Sequence, residues 1–214
     1  ELSNSHVITP ITNPTQFQYI NSYLLNFPFS LSTGEANNVW MEEMKDRGIN
    51  YKKAFNQWMN LYNYLSNGSL IYVLPTPQVD NLQDLVYTAN LGIAFPHLKN
   101  EVVISNFTSL PRVGETKVGV DFFKQMGYNV QVSPHKFEGE ADLKHLYDNI
   151  YIGGYGQRSD YDTYKWMEKE YGCKIIKVYM ADKYLYHLDC SIFPVNKEDT
   201  MICSELFSKQ EIKQ

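Results

Sequence analysis

Three carboxylates occupy every second position in the segment 136–144: Glu138, Glu140 and Asp142. In a strand this spacing points all three side chains to one side, and in a loop it wraps them around a cationic group. Repulsion among them raises the pKa values of the carboxyl groups unless a cation lies nearby. The segment therefore indicates either a site for a cationic ligand or a solvated acidic loop.

A histidine and an aspartate, His187 and Asp189, are separated by one residue. In a strand they share a face, and an imidazole beside a carboxylate is suited to proton transfer next to a cationic substrate. A structural histidine or a surface pair is the alternative. Cys190 follows directly, but in a strand it faces away from His187. We therefore expect a buried core cysteine there rather than the partner of a Cys-His pair.

A glycine cluster precedes a single arginine, Arg158, in the segment 148–160. The glycines do not match Gly-x-Gly-x-x-Gly, and no Lys-Ser/Thr opens a helix, so the cluster does not predict a phosphate-binding loop. The glycines instead allow the backbone to approach a ligand, and Arg158 is available for a carboxylate.

Strand-like apolar runs alternate with amphipathic helical patterns along the chain. The predicted strands are 6–9, 70–74, 85–87, 102–105, 129–132, 149–153, 174–179 and 200–203. The predicted helices are 38–65 with an interruption at Gly48, 114–126 and 160–171, the last two followed by glycines. No Pro/Gly/Ser-rich linker divides these elements. The patterns predict a single α/β domain over residues 1–214.

The chain also contains an internal echo. Tyr87-Thr-Ala-Asn90 matches Tyr186-His-Leu-Asp189, and Phe95-Pro96 matches Phe193-Pro194, at displacements of about 100 residues. Tyr151 begins a third candidate copy between them. The implied module is about 50 residues long, so the chain holds about four modules. Tyr, Phe and Pro are frequent here, so a chance echo stays open as the alternative.

Composition and charge exclude several classes of protein. The net charge of −5 leaves no basic surface for nucleic-acid phosphates. No run reaches the roughly 18 apolar residues of a membrane span, and the first residues lack the features of a signal peptide. Three cysteines without a Cys-x-x-Cys pair argue against a disulfide framework and a zinc site. We expect a cytoplasmic protein that binds neither nucleic acid nor membranes.

Taken in chain order, these segments resemble the pentein superfamily, the five-bladed α/β propeller of arginine deiminases, dimethylarginine dimethylaminohydrolases and glycine amidinotransferases. The matching segments are Asn37-Asn-Val-Trp-Met41, Asp84-Leu-Val-Tyr-Thr-Ala-Asn90, Phe137-Glu-Gly-Glu-Ala-Asp142, Tyr151-Ile-Gly-Gly-Tyr-Gly-Gln-Arg158 and His187-Leu-Asp189. They extend over nearly the whole chain. The resemblance implies a propeller of repeated ββαβ modules, with about four of the five present.

The resemblance also implies roles for individual residues in chemistry on a guanidinium group. His187 resembles the general acid/base of the family, and Glu138 the carboxylate that orients this histidine or grips the substrate. Asp189 looks like a guanidinium ligand that accepts two N–H donors. Arg158 stands where the deiminases hold the α-carboxylate of the substrate.

Two further residues complete the expected site. Asn90 stands where several members have a guanidinium-binding aspartate, so the substrate need not be free arginine. Asp142 is expected to bind the substrate together with the other carboxylates. The family's nucleophile is a cysteine in the last blade, and none of the three cysteines of this chain is in that place. We therefore expect the nucleophilic blade to be missing from these residues.

These features predict a guanidine- or amidine-modifying enzyme, a hydrolase or an amidinotransferase, acting on an arginine-like small molecule. A cysteine thiolate would attack the guanidinium carbon, and His187 would pass the adduct to water or to an amine, with no metal or organic cofactor. The alternatives are a non-catalytic binding module on the same fold and an unrelated α/β protein. Because a propeller short of one blade exposes strand edges, we expect self-association or a blade supplied from elsewhere.

Overall fold

Short strands alternate with helices in the computed structural model, which describes residues 21–210 and 212. The strands are β1 (Ser22–Asn26), β2 (Leu70–Leu74), β3 (Gly92–Ala94), β4 (Glu101–Ile104), β5 (Asn129–Val132), β6 (Leu143–Tyr147), β7 (Ile150–Tyr155), β8 (Lys174–Tyr179), β9 (Ile192–Pro194) and β10 (Thr200–Ile202). The α-helices are α1 (Val39–Met44), α2 (Tyr51–Ser66), α3 (Val113–Gln125) and α4 (Tyr161–Tyr171). The predicted α/β class is confirmed.

The strands form four sheets in the described part of the chain. Two sheets have three strands, β3-β4-β5 and β6-β7-β8, and two have a pair, β1-β2 and β9-β10. In each three-stranded sheet the first two strands are antiparallel, the last two are parallel, and a helix connects the parallel strands. The prediction of repeated ββαβ modules is confirmed: two modules are complete, and the two-stranded sheets form parts of two more.

Three of the sheets begin with a 3₁₀ turn that leads into a hairpin. The turns are Thr88–Asn90, Gly139–Ala141 and Leu188–Cys190, at the predicted spacing of about 50 residues. The first and last turns overlap the two echoed tetrapeptides. The third copy placed at Tyr151 is wrong, because Tyr151 lies inside β7 and the equivalent turn comes earlier. The sequence around that turn has no tyrosine to mark it.

The helix predictions are confirmed with small shifts. The interruption of the first pattern lies at Gly48, where φ is +60° between α1 and α2. Asn50 then caps α2, since its side chain accepts the N–H of Lys53. Gly127 and Gly172 follow α3 and α4 with positive φ angles. No helix among the described residues is long and apolar enough to cross a membrane.

The strand predictions are less complete. The predicted strand 85–87 is wrong, because these residues form turns in which the N–H of Leu85 donates to the carbonyl of Leu82. Leu85 is buried in the core, so its apolar side chain reflects core packing rather than a place in a sheet. The patterns do not predict β1, β3, β6 and β9, each of which pairs with a neighbouring strand that the patterns do predict. The predicted strand 6–9 lies outside the described residues.

Gly139 controls the approach of two of the 3₁₀ turns. Its φ is +63°, and a Cβ atom there would lie 2.5 Å from the carbonyl oxygen of Ala89. Gly139→Ala is therefore expected to lower the free energy of unfolding by about 2–4 kcal/mol, measured by urea denaturation. Gly172→Ala is the control, because Gly172 has the same φ of +63° but open space around it. Equal losses in both variants would contradict a role for close packing.

Candidate active site

The three 3₁₀ turns meet at one end of their sheets and bring distant residues together. Gly139 packs against Ala89 and Asn90 of the first turn. The N–H of Leu188, in the last turn, donates to the side chain of Asp142, which directly follows the middle turn. The side chains that flank the turns therefore converge, although up to 97 residues separate them in the chain.

His187 lies at the centre of this convergence and is only 7% exposed. Its Nδ1 lies 2.8 Å from Oδ1 of Asp142. Its Nε2 lies 3.1 Å from the side-chain amide nitrogen Nδ2 of Asn90 and 3.4 Å from Oε2 of Glu138. A carboxylate can only accept a hydrogen bond, so Asp142 assigns the proton to Nδ1. Nε2 is then the ring atom that is not bound to Asp142 and lies beside Asn90 and Glu138.

The carboxyl group of Glu138 is fully buried among cationic groups. Nη1 of Arg158 lies 3.1 Å from Oε1 of Glu138, and Nη1 of Arg112 lies 3.8 Å from Oε2. Burial alone would raise the pKa of Glu138, but the hydrogen bond to His187 and the charges of Arg158, His187 and Arg112 outweigh it and lower this pKa to about 2. Glu138 is therefore an anion at every physiological pH.

His187 has the opposite shift. Burial lowers the pKa of an imidazole, but the hydrogen bond and charge of Asp142, followed by those of Glu138, outweigh burial and raise the pKa of His187 to about 9. The two carboxylates thus hold a protonated imidazole near neutral pH. This is the state that a general acid needs before it donates its proton.

Only two of the three carboxylates in the acidic segment reach this site. Glu138 and Asp142 flank the 3₁₀ turn 139–141 and point to His187, whereas Glu140 lies within the turn and is exposed. Of the two predicted arrangements, the loop around a cation is the correct one. The cation in the structure is formed by protein groups, His187 together with Arg158.

A cavity of about 490 Å³ opens in front of His187. Four of the predicted site residues line it: Asn90, Arg158, His187 and Asp189. Its other walls come from the segment 31–49, from Asp84, Tyr87 and Arg112, and from Tyr186 and Cys190. The cavity wall therefore carries charged groups of both signs.

Asp142, which the sequence predicts to bind the substrate directly, does not line this cavity, and neither does Glu138. Asp142 is 1% exposed and lies behind His187. Both of its carboxylate oxygens accept hydrogen bonds from the protein, from His187, Leu188 and Ser159. The geometry assigns Asp142 to the orientation of the histidine.

Arg158 reaches the cavity but is already bound. One of its amino groups donates to Glu138 and the other to the carbonyl oxygen of Asn37. The ring of Tyr186 covers its guanidinium group at 4.8 Å. A carboxylate of a ligand would thus meet an arginine that is held in place from three sides.

Two cavity residues were missed by the sequence patterns, Arg112 and Asp84. Arg112 is 4% exposed and donates to both oxygens of Glu115. Asp84 accepts a hydrogen bond from the amide of Asn37. Asp84 belongs to the matched segment 84–90, so that segment could have pointed to it. A single arginine such as Arg112 carries no sequence signal of its own.

The expected environment of Cys190 is wrong. Cys190 is exposed and lines the cavity, because residues 188–190 form a 3₁₀ turn to which the alternation of a strand does not apply. Its sulfur lies 3.9 Å from Oδ1 of Asp189. Cys173 is buried in the core beneath α4, and Cys203 is exposed outside the cavity.

The raised pKa of His187 predicts how stability depends on pH. The folded protein keeps a proton on His187 up to about pH 9, whereas an unfolded histidine releases it near pH 6.5. The free energy of unfolding is therefore expected to fall by up to about 3 kcal/mol as the pH rises through this range. Urea denaturation across the range measures the slope, and His187→Gln is expected to flatten it. An equally steep slope in that variant would contradict the assignment.

Known proteins resemble the chain in sequence over three quarters of its length. The bifunctional arginine dihydrolase/ornithine cyclodeaminase AgrE of Nostoc sp. is 31% identical over 161 residues, which are 74% of this chain and 22% of AgrE. ArgZ of Synechocystis sp., described by the same words, is 26% identical over 162 residues, with the same two shares. The chain spans about a fifth of the length of these relatives. No family model matches it.

Solved structures show the same fold over most of the chain. The N-terminal domain of ArgZ bound to product superposes with a TM-score of 0.81 at 24% identity, covering 91% of this chain and 70% of that domain. A mutant of AgrE in complex with L-arginine superposes with a TM-score of 0.80 at 26% identity, covering 91% of this chain and 28% of AgrE. DDAH from Pseudomonas aeruginosa, a mutant complexed with citrulline, superposes with a TM-score of 0.72 at 16% identity, covering 91% of this chain and 74% of DDAH. The similarity to AgrE and the shared fold confirm the expected resemblance to the pentein superfamily and the pentein fold of this chain.

Proposed function

We propose that this chain is part of an enzyme that hydrolyses the guanidinium group of arginine or an arginine-like molecule. One observation carries the proposal: Nε2 of His187 lies beside Glu138 and Asn90 at the wall of an open cavity. The names of AgrE and ArgZ describe arginine dihydrolases, which favours water over an amine as the acceptor. The amidino transfer that the family resemblance also implies is the competing reaction.

The charges on the cavity wall match a substrate that carries both a guanidinium and a carboxylate. Asp84 and Asp189 offer carboxylates to the planar N–H donors of a guanidinium group. Arg158 offers a guanidinium to the substrate's carboxylate. Asn90 supplies a neutral amide beside the reacting histidine, in place of a further negative charge.

His187 has two tasks in the proposed mechanism. A cysteine thiolate adds to the guanidinium carbon, and Nε2–H of His187 protonates the nitrogen that leaves as the C–N bond breaks. Water then attacks the covalent adduct, Nε2 takes a proton from this water, and the thiolate departs. Glu138 and Asp142 stabilise the imidazolium in both steps because they lie at its two ring nitrogens.

The nucleophile in this proposal is a cysteine from outside residues 1–214. Cys173 is buried away from the site, and Cys203 does not line the cavity. Cys190 lies at the cavity wall, but the partner of its sulfur is Asp189 rather than His187. A carboxylate neighbour disfavours the thiolate that attack requires.

Labelling of the full-length protein with 2-chloroacetamidine tests the proposal, because this amidine occupies a guanidinium site and alkylates a nearby thiolate. We expect one labelled cysteine, identified by peptide mass spectrometry, and we expect arginine to protect it. The Cys190→Ser variant is the control and is expected to be labelled to the same extent. Ammonium release from arginine, measured in parallel, is expected only in unlabelled protein.

Three outcomes would overturn parts of this proposal. Label confined to Cys190 would mean that the nucleophile lies within the present chain. Arginine binding without labelling and without ammonium release would favour the non-catalytic binding module instead. Release of an amidino group to an amine, with no ammonium, would select transfer over hydrolysis.

A further inference from the structure

We propose that Ser159 is a positioning residue for His187, because its hydroxyl holds Asp142 in the orientation that places the imidazole proton on Nδ1. The consequence for catalysis rests on the proposed function. The geometry itself, and one arm of the test below, do not depend on activity.

Ser159 joins the two carboxylate-bearing residues of the site. It is 1% exposed, and its hydroxyl donates to Oδ2 of Asp142 at 2.6 Å. The hydroxyl oxygen of Ser159 in turn accepts the backbone N–H of Glu138 at 3.1 Å. Because this oxygen accepts from Glu138, its own proton is directed to Asp142.

The other oxygen of Asp142 holds the histidine. Oδ1 lies 2.8 Å from Nδ1 of His187 and 3.3 Å from the backbone nitrogen of Leu188. Rotation of the carboxylate would break these bonds and the bond from Ser159 together. The three donors therefore select a single orientation, and Ser159 is the only side-chain donor among them besides the histidine itself.

Ser159 is placed by a tight turn between β7 and α4. Gly156 has a φ of +125°, and its N–H donates to the carbonyl of Ser159 at 2.9 Å. The next residue, Asp160, donates its N–H to the carbonyl of Lys136, which anchors the turn to the acidic segment. The preceding residue, Arg158, pairs with Glu138. Two adjacent residues of one turn thus hold both carboxylates that flank His187.

The tautomer of His187 decides whether it can act as a base. A neutral imidazole with its proton on Nδ1 has its lone pair on Nε2, the ring nitrogen beside the side-chain amide of Asn90. If Asp142 turns away, the proton can move to Nε2, and the ring then cannot accept a proton from water. A hydroxyl that fixes Asp142 therefore increases the fraction of enzyme in the competent state.

The test compares Ser159→Ala with Thr163→Ala as a matched control. Thr163 is also fully buried, and its hydroxyl donates to the carbonyl of Lys136 at 2.8 Å. Thr163→Ala therefore also removes a hydroxyl hydrogen bond, but not one to Asp142. Ser159→Thr is the conservative variant that keeps the hydroxyl. Nitrogen-15 NMR of the imidazole, recorded above the pKa of about 9 so that His187 is neutral, reports its tautomer. The exchange rate of its Nδ1 proton reports the bond to Asp142.

Ser159→Ala is expected to speed the exchange of the Nδ1 proton at least tenfold and to lower kcat on arginine about 10- to 100-fold, with KM changed less than about threefold. Thr163→Ala is expected to do neither, and Ser159→Thr to restore both. Unchanged exchange in Ser159→Ala would overturn the proposal, whether or not the protein hydrolyses arginine. If Ser159→Ala does not fold, Ser159→Cys takes its place, since a thiol of similar volume is a weak donor.

The charged groups around His187 are the same in all of these variants. Asp142 faces Nδ1, Glu138 faces Nε2, and Arg158 and Arg112 lie beyond Glu138. A difference between the variants therefore reports the orientation of Asp142 rather than a change of charge.

Discussion

The His187→Ala variant of the full-length protein is expected to hydrolyse arginine about 10²- to 10⁴-fold more slowly than the wild type, which is the usual contribution of a general acid/base. The reason is geometric as well as chemical. Nε2 is the ring atom that faces Glu138 and Asn90, and Asp142 occupies the other nitrogen. Among the residues that the structure describes, no other histidine lines the cavity to take over the proton transfer.

Ammonium release under saturating arginine measures the loss of kcat in His187→Ala. His135→Ala is the control, because His135 lies outside the cavity. Its rate is expected to stay within about twofold of the wild type, as for a surface substitution. A rate for His187→Ala within tenfold of the wild type would remove the proton-transfer role from the mechanism.

The Glu138→Gln variant is expected to lower the free energy of unfolding by about 3–5 kcal/mol, because it breaks a buried ion pair by removing one partner. Arg158 and Arg112 would keep their charges without this carboxylate, in a site where both are about 90% buried or more. The pKa of His187 is expected to fall as well, since Glu138 is one of the groups that raise it. The same variant is therefore expected to lose both stability and activity.

Glu140→Gln is a matched control for Glu138→Gln, since it makes the same change two residues away on an exposed side chain. Its free energy of unfolding is expected to stay within about 0.5 kcal/mol of the wild type. Urea denaturation at neutral pH compares the two variants, and NMR titration of His187 follows the pKa. Equal effects on stability in the two variants would contradict the buried network around Glu138.

Local patterns predicted the helices well and the short strands poorly. The pattern over residues 160–171, with Gly172 behind it, predicted α4 almost residue for residue. A three-residue strand such as β3 exists because it pairs with β4, and this pairing leaves no periodic trace in the sequence. The same limit explains the failure at Leu85, whose apolar side chain faces the core from a turn.

The composition of the site was predicted better than the roles within it. The acidic segment and His187 were identified from residue type and spacing, and the structure brings Glu138 and Asp142 to the imidazole. Spacing alone does not tell which carboxylate faces a cavity, so it does not predict that Asp142 lies behind His187. The alternation of a strand predicts a buried Cys190, but the chain forms a 3₁₀ turn there.

The sequence by itself determined the α/β class, the module of about 50 residues and part of the set of charged residues, because periodicity, turn residues and side-chain chemistry are local properties. Only the tertiary structure decided that Asp142 orients His187, 45 residues further along the chain, and that Arg112 joins the site. Such contacts arise when turns from different modules pack together. Their distances depend on the whole core, and no short segment encodes them.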